Sequence, residues 1–155
     1  MLTIRSRDYE SLRRHGEETY PFECCGALLG RFNDGGRLVE DVIRCSNIRA
    51  DRPQDRYQVD PKELIAIQRQ ADQRGLEIVG FYHSHPDHPA QWSPTDLAEA
   101  YYISFSYVIT AVEKGSSART NSFVLSGSSE EDKRLEPEEI TVLTLEESQT
   151  HAAKN

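Results

Sequence analysis

The segment from His83 to Asp96, HSHPDHPAQWSPTD, concentrates the side chains of this chain that can do chemistry. Two histidines stand at i and i+2, and a Ser-x-x-Asp follows after seven residues. His83, His85 and Asp96 can supply three protein ligands to a zinc ion and leave one position for water. That is the composition of a catalytic site, because a closed structural site takes a fourth protein ligand. Zinc draws the pKa of its water toward ~7, and a nearby carboxylate can pass the proton to a leaving amine. Glu23, directly before Cys-Cys-Gly-Ala-Leu-Leu-Gly, is the candidate for that carboxylate.

Each part also has a plainer reading. An HxH pair alone is weak evidence for metal, since a strand histidine is more often a surface or satisfied core residue. Ser93 followed by Asp96 is a capping-box arrangement, which stabilises a helix start whether or not metal is near. The two readings of Asp96 compete for one carboxylate. Glu23 by itself reads as an exposed loop glutamate; His88 suits a spare ligand or a substrate contact, but a loop histidine is more often simply solvated. Trp92, the only tryptophan, suits a cleft wall or a packing anchor equally. Cys24 and Cys25 have no evident basic partner and read as packing residues. The conjunction of both motifs across one short turn is what favours a metal site.

The elements that must position these groups are legible in outline. Leu2–Arg5 suits a short strand, and Ser6 suits the cap of a helix from Arg7 to about Thr19, ended by Pro21. Cys25–Phe32 reads as a buried strand that turns through Asn33-Asp34-Gly35-Gly36, a loop of about four residues, into Arg37–Ile43. Residues 48–58 read as a loop. Asp60 and Pro61 predict a helix start, with Glu63 placed to reach back and Gly75 as the stop. Glu77–Tyr82 predicts a strand from whose end His83 and His85 project on one side. Pro86 halts it, and a second helix is expected from Ser93 to about Tyr102. Ser106–Val112, Asn121–Leu125 and Ile140–Leu145 predict further strands. The mixture lacks a strict βαβ alternation and implies the α/β (α+β) class: a mixed sheet flanked by helices. A single domain over residues 1–145 with a frayed tail at 146–155 is expected.

Composition narrows the function classes. The chain has 155 residues, 37% hydrophobic and 28% charged, with 18 basic against 26 acidic side chains and a net charge of -8. That balance argues against nonspecific binding to nucleic acid or anionic membranes. No apolar run approaches the roughly 20 residues of a membrane span, and the first residues lack a secretory h-region. Three cysteines without a CxxC pair point to a reducing cytoplasm.

Taken together, Glu23, His83-x-His85, the seven-residue gap and Ser93-x-x-Asp96 resemble the signature of the JAMM (MPN+, JAB-type) zinc metalloproteases. Every signature position is matched, and the resemblance runs from about Leu2 to Leu125. Asn47-Ile48 and Arg56-Tyr57-Gln58-Val59-Asp60-Pro61 are similar to the short prokaryotic members. The resemblance implies a curved mixed sheet related to the cytidine deaminases, whose own HxE and PCxxC signature is absent here. It implies one catalytic zinc ion held by His83, His85 and Asp96, with Glu23 as general acid/base and Ser93 as oxyanion donor. It further implies a peptidase or isopeptidase that hydrolyses an amide at the flexible C-terminal tail of a ubiquitin-like or sulfur-carrier protein of the ThiS/MoaD type. The competing expectations are a non-catalytic scaffold of the same fold, a deubiquitinase-like removal of ubiquitin-like conjugates, and a hydrolase for other amides. The partner expected is a protein tail, with no nucleic acid and no membrane.

Overall fold

The computed structural model describes residues 1–49 and 57–144. Among them, eight strands form one mixed, curled sheet, and three helices accompany it. The strands are β1 (Leu2–Arg5), β2 (Cys25–Asn33), β3 (Gly36–Cys45), β4 (Glu77–Pro86), β5 (Ser106–Glu113), β6 (Ser116–Ser126), β7 (Arg134–Glu138) and β8 (Ile140–Leu143). The helices are α1 (Ser6–Thr19), α2 (Pro61–Gln73) and α3 (Pro94–Ala98). The order across the sheet is β7-β6-β5-β4-β2-β3-β1-β8. β4 runs parallel to β5, and β1 runs parallel to both β3 and β8; the other neighbours are antiparallel.

α1 and α2 cover opposite faces. Leu12 of α1 packs with Leu2, Ile4, Leu28, Val39, Val79, Tyr82 and Val108. Ile67 and Ala71 of α2 pack with Cys25, Ala27, Leu29, Phe81, Ile109 and Phe123 on the other side. Strands covered on both faces need apolar side chains at every position, which is why β2 and β5 read as continuous rather than alternating runs. Gly80 of β4 lets the β5 backbone approach; a Cβ there would collide with the carbonyl oxygen of Ser106.

Several local expectations are corrected. Ser6 is the first residue of α1, not its cap; Arg5 holds that position and makes no side-chain cap bond. The β2–β3 turn has two residues, Asp34-Gly35, because Asn33 and Gly36 are already paired and Gly35 adopts φ 83°. Asp60 caps α2 through the Lys62 N–H as expected, but Glu63 reaches sideways to the Ser46 N–H instead of back. β4 runs on through both histidines to Pro86, paired with β5 up to Val112. β6 begins at Ser116, five residues before the expected Asn121. β7 was not anticipated. α3 stops at Ala98 instead of Tyr102, and Lys133 Nζ bonds the carbonyls of Ala98, its last residue, and of Ala100 beyond it. β8 is described from Ile140 to Leu143. The tail expected over 146–155 and most of the 48–58 loop lie outside the described residues.

Candidate metal centre

β2 and β4 bring Glu23 to the histidines. Cys25 is registered opposite His83, and the pairing continues upstream. The Cys24 N–H donates to Ser84 Oγ at 2.8 Å, and the Ser84 N–H donates to the Cys24 carbonyl at 3.2 Å. Ser84 faces away from its two histidine neighbours, and that is how it clasps Cys24. Glu23, next in line, is buried at 2% exposure. Its carboxylate oxygen and one nitrogen each of His83 and His85 all lie within 4.8 Å of one another.

A β-bulge decides which face the histidines occupy. Leu28 pairs with Gly80 and Leu29 with Ile78, so Val79 is an extra residue in β4. Val79 accordingly packs on the α1 face, while Ile78 and Phe81 pack on the α2 face. The shift in phase carries through to His83 and His85 on the α2 side, where Tyr57 stacks on His83 with centroids 4.4 Å apart and planes at 24°.

Asp96 closes the cluster from α3. Its Oδ1 stands 3.3 Å from His83 Nε2, and its Oδ2 stands 3.2 Å from His85 Nε2. The two Nε2 atoms are 3.1 Å apart. Tetrahedral ligands at about 2.0–2.1 Å from zinc stand about 3.3 Å from each other, so these separations fit one ion. The tautomers agree. His85 Nδ1 lies 2.8 Å from the Pro89 carbonyl, which can only accept, so Nδ1 carries hydrogen and Nε2 is free to present a lone pair to a cation.

The capping and metal readings of Asp96 do not compete. Its Oδ2 also accepts the Ser93 N–H at 2.9 Å, and Ser93 Oγ accepts the Asp96 N–H at 3.1 Å, completing the capping box. The cap uses Ser93 Oγ as an acceptor and leaves its hydroxyl hydrogen for another partner.

The electrostatics suit a cation. Burial alone would raise the Asp96 pKa, but His83, His85 and the Ser93 N–H outweigh it and hold the carboxyl far below its usual range. Burial lowers the His83 pKa and keeps that ring neutral. Burial also opposes charge on His85, yet the Asp96 and Pro89 oxygens prevail and raise its pKa.

The remaining candidates separate clearly. His88 is exposed. Trp92 is half-buried and packs against the α2-face core. Cys24, Cys25 and Cys45 are buried free thiols. Burial pushes Cys24 up to about 11 and Cys45 up to about 12, values that leave them protonated and unreactive. Tyr57 joins the site without a sequence signal of its own, since only its neighbourhood in the chain, Arg56 to Pro61, resembles the short prokaryotic members. Together with Gln58, Val59, Phe81, Glu99, Tyr101 and Tyr107 it lines a cleft of about 400 Å³.

Residues 6–125 match the family described as prokaryotic homologs of the JAB domain. The chain is 36% identical over 112 residues to a desampylase of Haloferax volcanii, covering 70% of this chain and 78% of that protein. It is 36% identical over 91 residues to a probable TtuB-protein conjugate cleaving protease of Thermus thermophilus, covering 59% of this chain and 57% of that protein. Among solved structures, protein DSY2949 of Desulfitobacterium hafniense superposes with a TM-score of 0.79 at 29% identity, covering 93% of this chain and 94% of the other.

Proposed function

The chain belongs to the JAB family of metalloproteases, the JAMM group, and from that membership we propose that it is a zinc-dependent isopeptidase. Its substrate is the amide bond at the C-terminal tail of a ubiquitin-like or sulfur-carrier protein. The observation that carries this reading is the convergence of Glu23, His83 and His85 within 4.8 Å, with both Asp96 oxygens facing the same two imidazoles. The substrate assignment draws on the relatives, which are named a desampylase and a TtuB-protein conjugate cleaving protease.

His83, His85 and Asp96 would hold zinc, which when bound polarises a carbonyl and makes its water acidic at neutral pH. Glu23 then takes the proton of the attacking water and returns it to the departing amine. Its near-complete burial beside the metal ligands keeps bulk water from competing for that transfer. Ser93 turns its hydroxyl hydrogen to the scissile carbonyl oxygen as negative charge develops there. The cleft beside Tyr57 receives the extended tail, and its aromatic walls exclude water from the reacting bond.

The decisive experiment uses sulfur-carrier proteins carrying a cleavable C-terminal extension, with bound zinc quantified in parallel. Cleavage is expected with zinc, none after chelation, and recovery on zinc return. Glu23→Gln should keep zinc and lose at least about 100-fold in rate, the scale of general acid–base catalysis. Full activity of the zinc-loaded Glu23→Gln protein would remove Glu23 from the mechanism. Zinc binding with no cleavage of any tail would favour the scaffold reading.

A further inference from the structure

We infer that Asn47 is a positioning residue for this reaction: its one amide ties the backbone of Glu23 to the segment that carries Tyr57. The role rests on the isopeptidase reading above. Asn47 Nδ2 donates to the Glu23 carbonyl at 3.2 Å. Asn47 Oδ1 accepts the Gln58 N–H at 3.1 Å and the Arg49 N–H at 3.0 Å. The orientation of the amide is dictated by these partners. A carbonyl can only accept and a backbone N–H can only donate, so a flipped side chain would lose every one of these bonds.

The two ends of this tie need it. Glu23 precedes the start of β2, and Tyr57 lies outside regular secondary structure. Asn47 pairs with Val59 in an isolated bridge, and the Ile48 N–H donates to the Gln58 carbonyl at 2.9 Å. The segment that ends in Gln58 is therefore fastened to the same short stretch that holds Glu23. Tyr57, next to Gln58, stacks on His83. Through Asn47 the backbone of the proposed base and the ring wall behind a proposed metal ligand move as one body. A proton-transfer group must be held to about 0.5 Å, and supporting partners of this kind typically contribute about 10–100-fold to activity or metal affinity.

Two near-isosteric variants dissect the tie. Asn47→Asp keeps an acceptor toward Gln58 and Arg49 but turns an oxygen toward the Glu23 carbonyl. Asn47→Leu removes both sets of bonds without adding charge. For both, kcat should fall about 10–100-fold, with KM and bound zinc within about two-fold of the parent. In the zinc-free proteins, hydrogen exchange of the Cys24 N–H should accelerate in both variants, whereas that of the Gln58 N–H should accelerate in Asn47→Leu only.

Parental kcat and parental Cys24 exchange in Asn47→Asp would overturn the proposal. So would a loss of kcat matched by equal losses of zinc and thermal stability, the signature of general unfolding. If the parent protein itself shows no zinc-dependent hydrolysis, the isopeptidase reading fails instead. The exchange pattern then still decides whether Asn47 couples the two segments.

Discussion

In the proposed mechanism Asp96 does two jobs with two oxygens, and Ser93 does the same with one hydroxyl. Such economy is possible because the cap geometry aims the carboxylate: the Ser93 N–H pins Oδ2 where it also meets His85, and Oδ1 is left toward His83. Removing the hydroxyl should therefore have two separable effects. Ser93→Ala is expected to reduce kcat by about 10²–10³, the scale of a lost oxyanion donor. It should also lower unfolding free energy by ~1 kcal/mol through the lost cap. Rate on a cleavable tail and the urea midpoint read the two effects independently. If the midpoint drops while kcat is kept, Ser93 is a cap and nothing more. The five candidate site residues were legible in the sequence because few side-chain types bind zinc or move protons, and their spacing is short. Tyr57 and Asn47 were not singled out, since an aromatic and an amide acquire a role only from what stands next to them.

At the scale of elements, a single extra residue sets the phase of the site strand. Val79 bulges out of β4, and the alternation beyond it aims His83 and His85 at α3 instead of α1. The close contact between β4 and β5 upstream of the histidines depends on Gly80. Gly80→Ala should destabilise the fold by about 3 kcal/mol, since a methyl group would meet backbone that cannot give way. For a chain of this size that is roughly 6–12 °C in thermal midpoint. An unchanged midpoint would mean that β4 and β5 separate at little cost. Strong local signals explain which elements were foreseeable: the Asp60-Pro61 start of α2, and the apolar runs of β2, β4 and β5. β7 was hidden because Arg-Leu-Glu-Pro-Glu is polar and contains proline. It is admissible as a strand only because β7 is the outer strand at one end of the sheet. Where α3 ends, Lys133, 35 residues from Ala98, bonds the Ala98 carbonyl, and nothing local to the helix encodes that contact.

Across the molecule, the face opposite the site is closed by α1 around a buried polar pair. His15 Nδ1 and Tyr82 Oη are 2.8 Å apart, on the neighbour of a proposed metal ligand. Burial, with Arg44 adding to it, lowers the His15 pKa from 6.5 to about 4. The unfolded chain therefore binds a proton at His15 that the folded chain refuses between those values. Stability from this group is fully present above about pH 6.5 and drains away as pH falls toward 4. The loss should reach about 2 kcal/mol near pH 5. His15→Gln should flatten this part of the curve when urea unfolding is compared at pH 7 and 5. The same acid sensitivity in variant and parent would place the titrating group elsewhere. The strand order was beyond sequence reasoning altogether. β1 sits between β3 and β8, and β4 between β2 and β5, through contacts that join distant parts of the chain.

What the sequence determined by itself is the inventory and the class. It supplied the zinc-compatible residues with their spacing, the apolar runs that had to be buried on two faces, and the mixture of elements that excluded a regular βαβ fold. These are properties of residue type and short-range periodicity, which the chain carries before it folds. Tertiary structure decided how those residues meet. It placed Glu23, sixty residues before His83, beside it through the β2–β4 register and the Ser84 clasp. It let Asp96 complete the cap of α3 while its two oxygens face the two imidazoles, and made Asn47 a tie between two segments with no common sequence signal. Each of these depends on long-range pairing and packing, whose energy is shared over the whole sheet and is invisible in any local window of sequence.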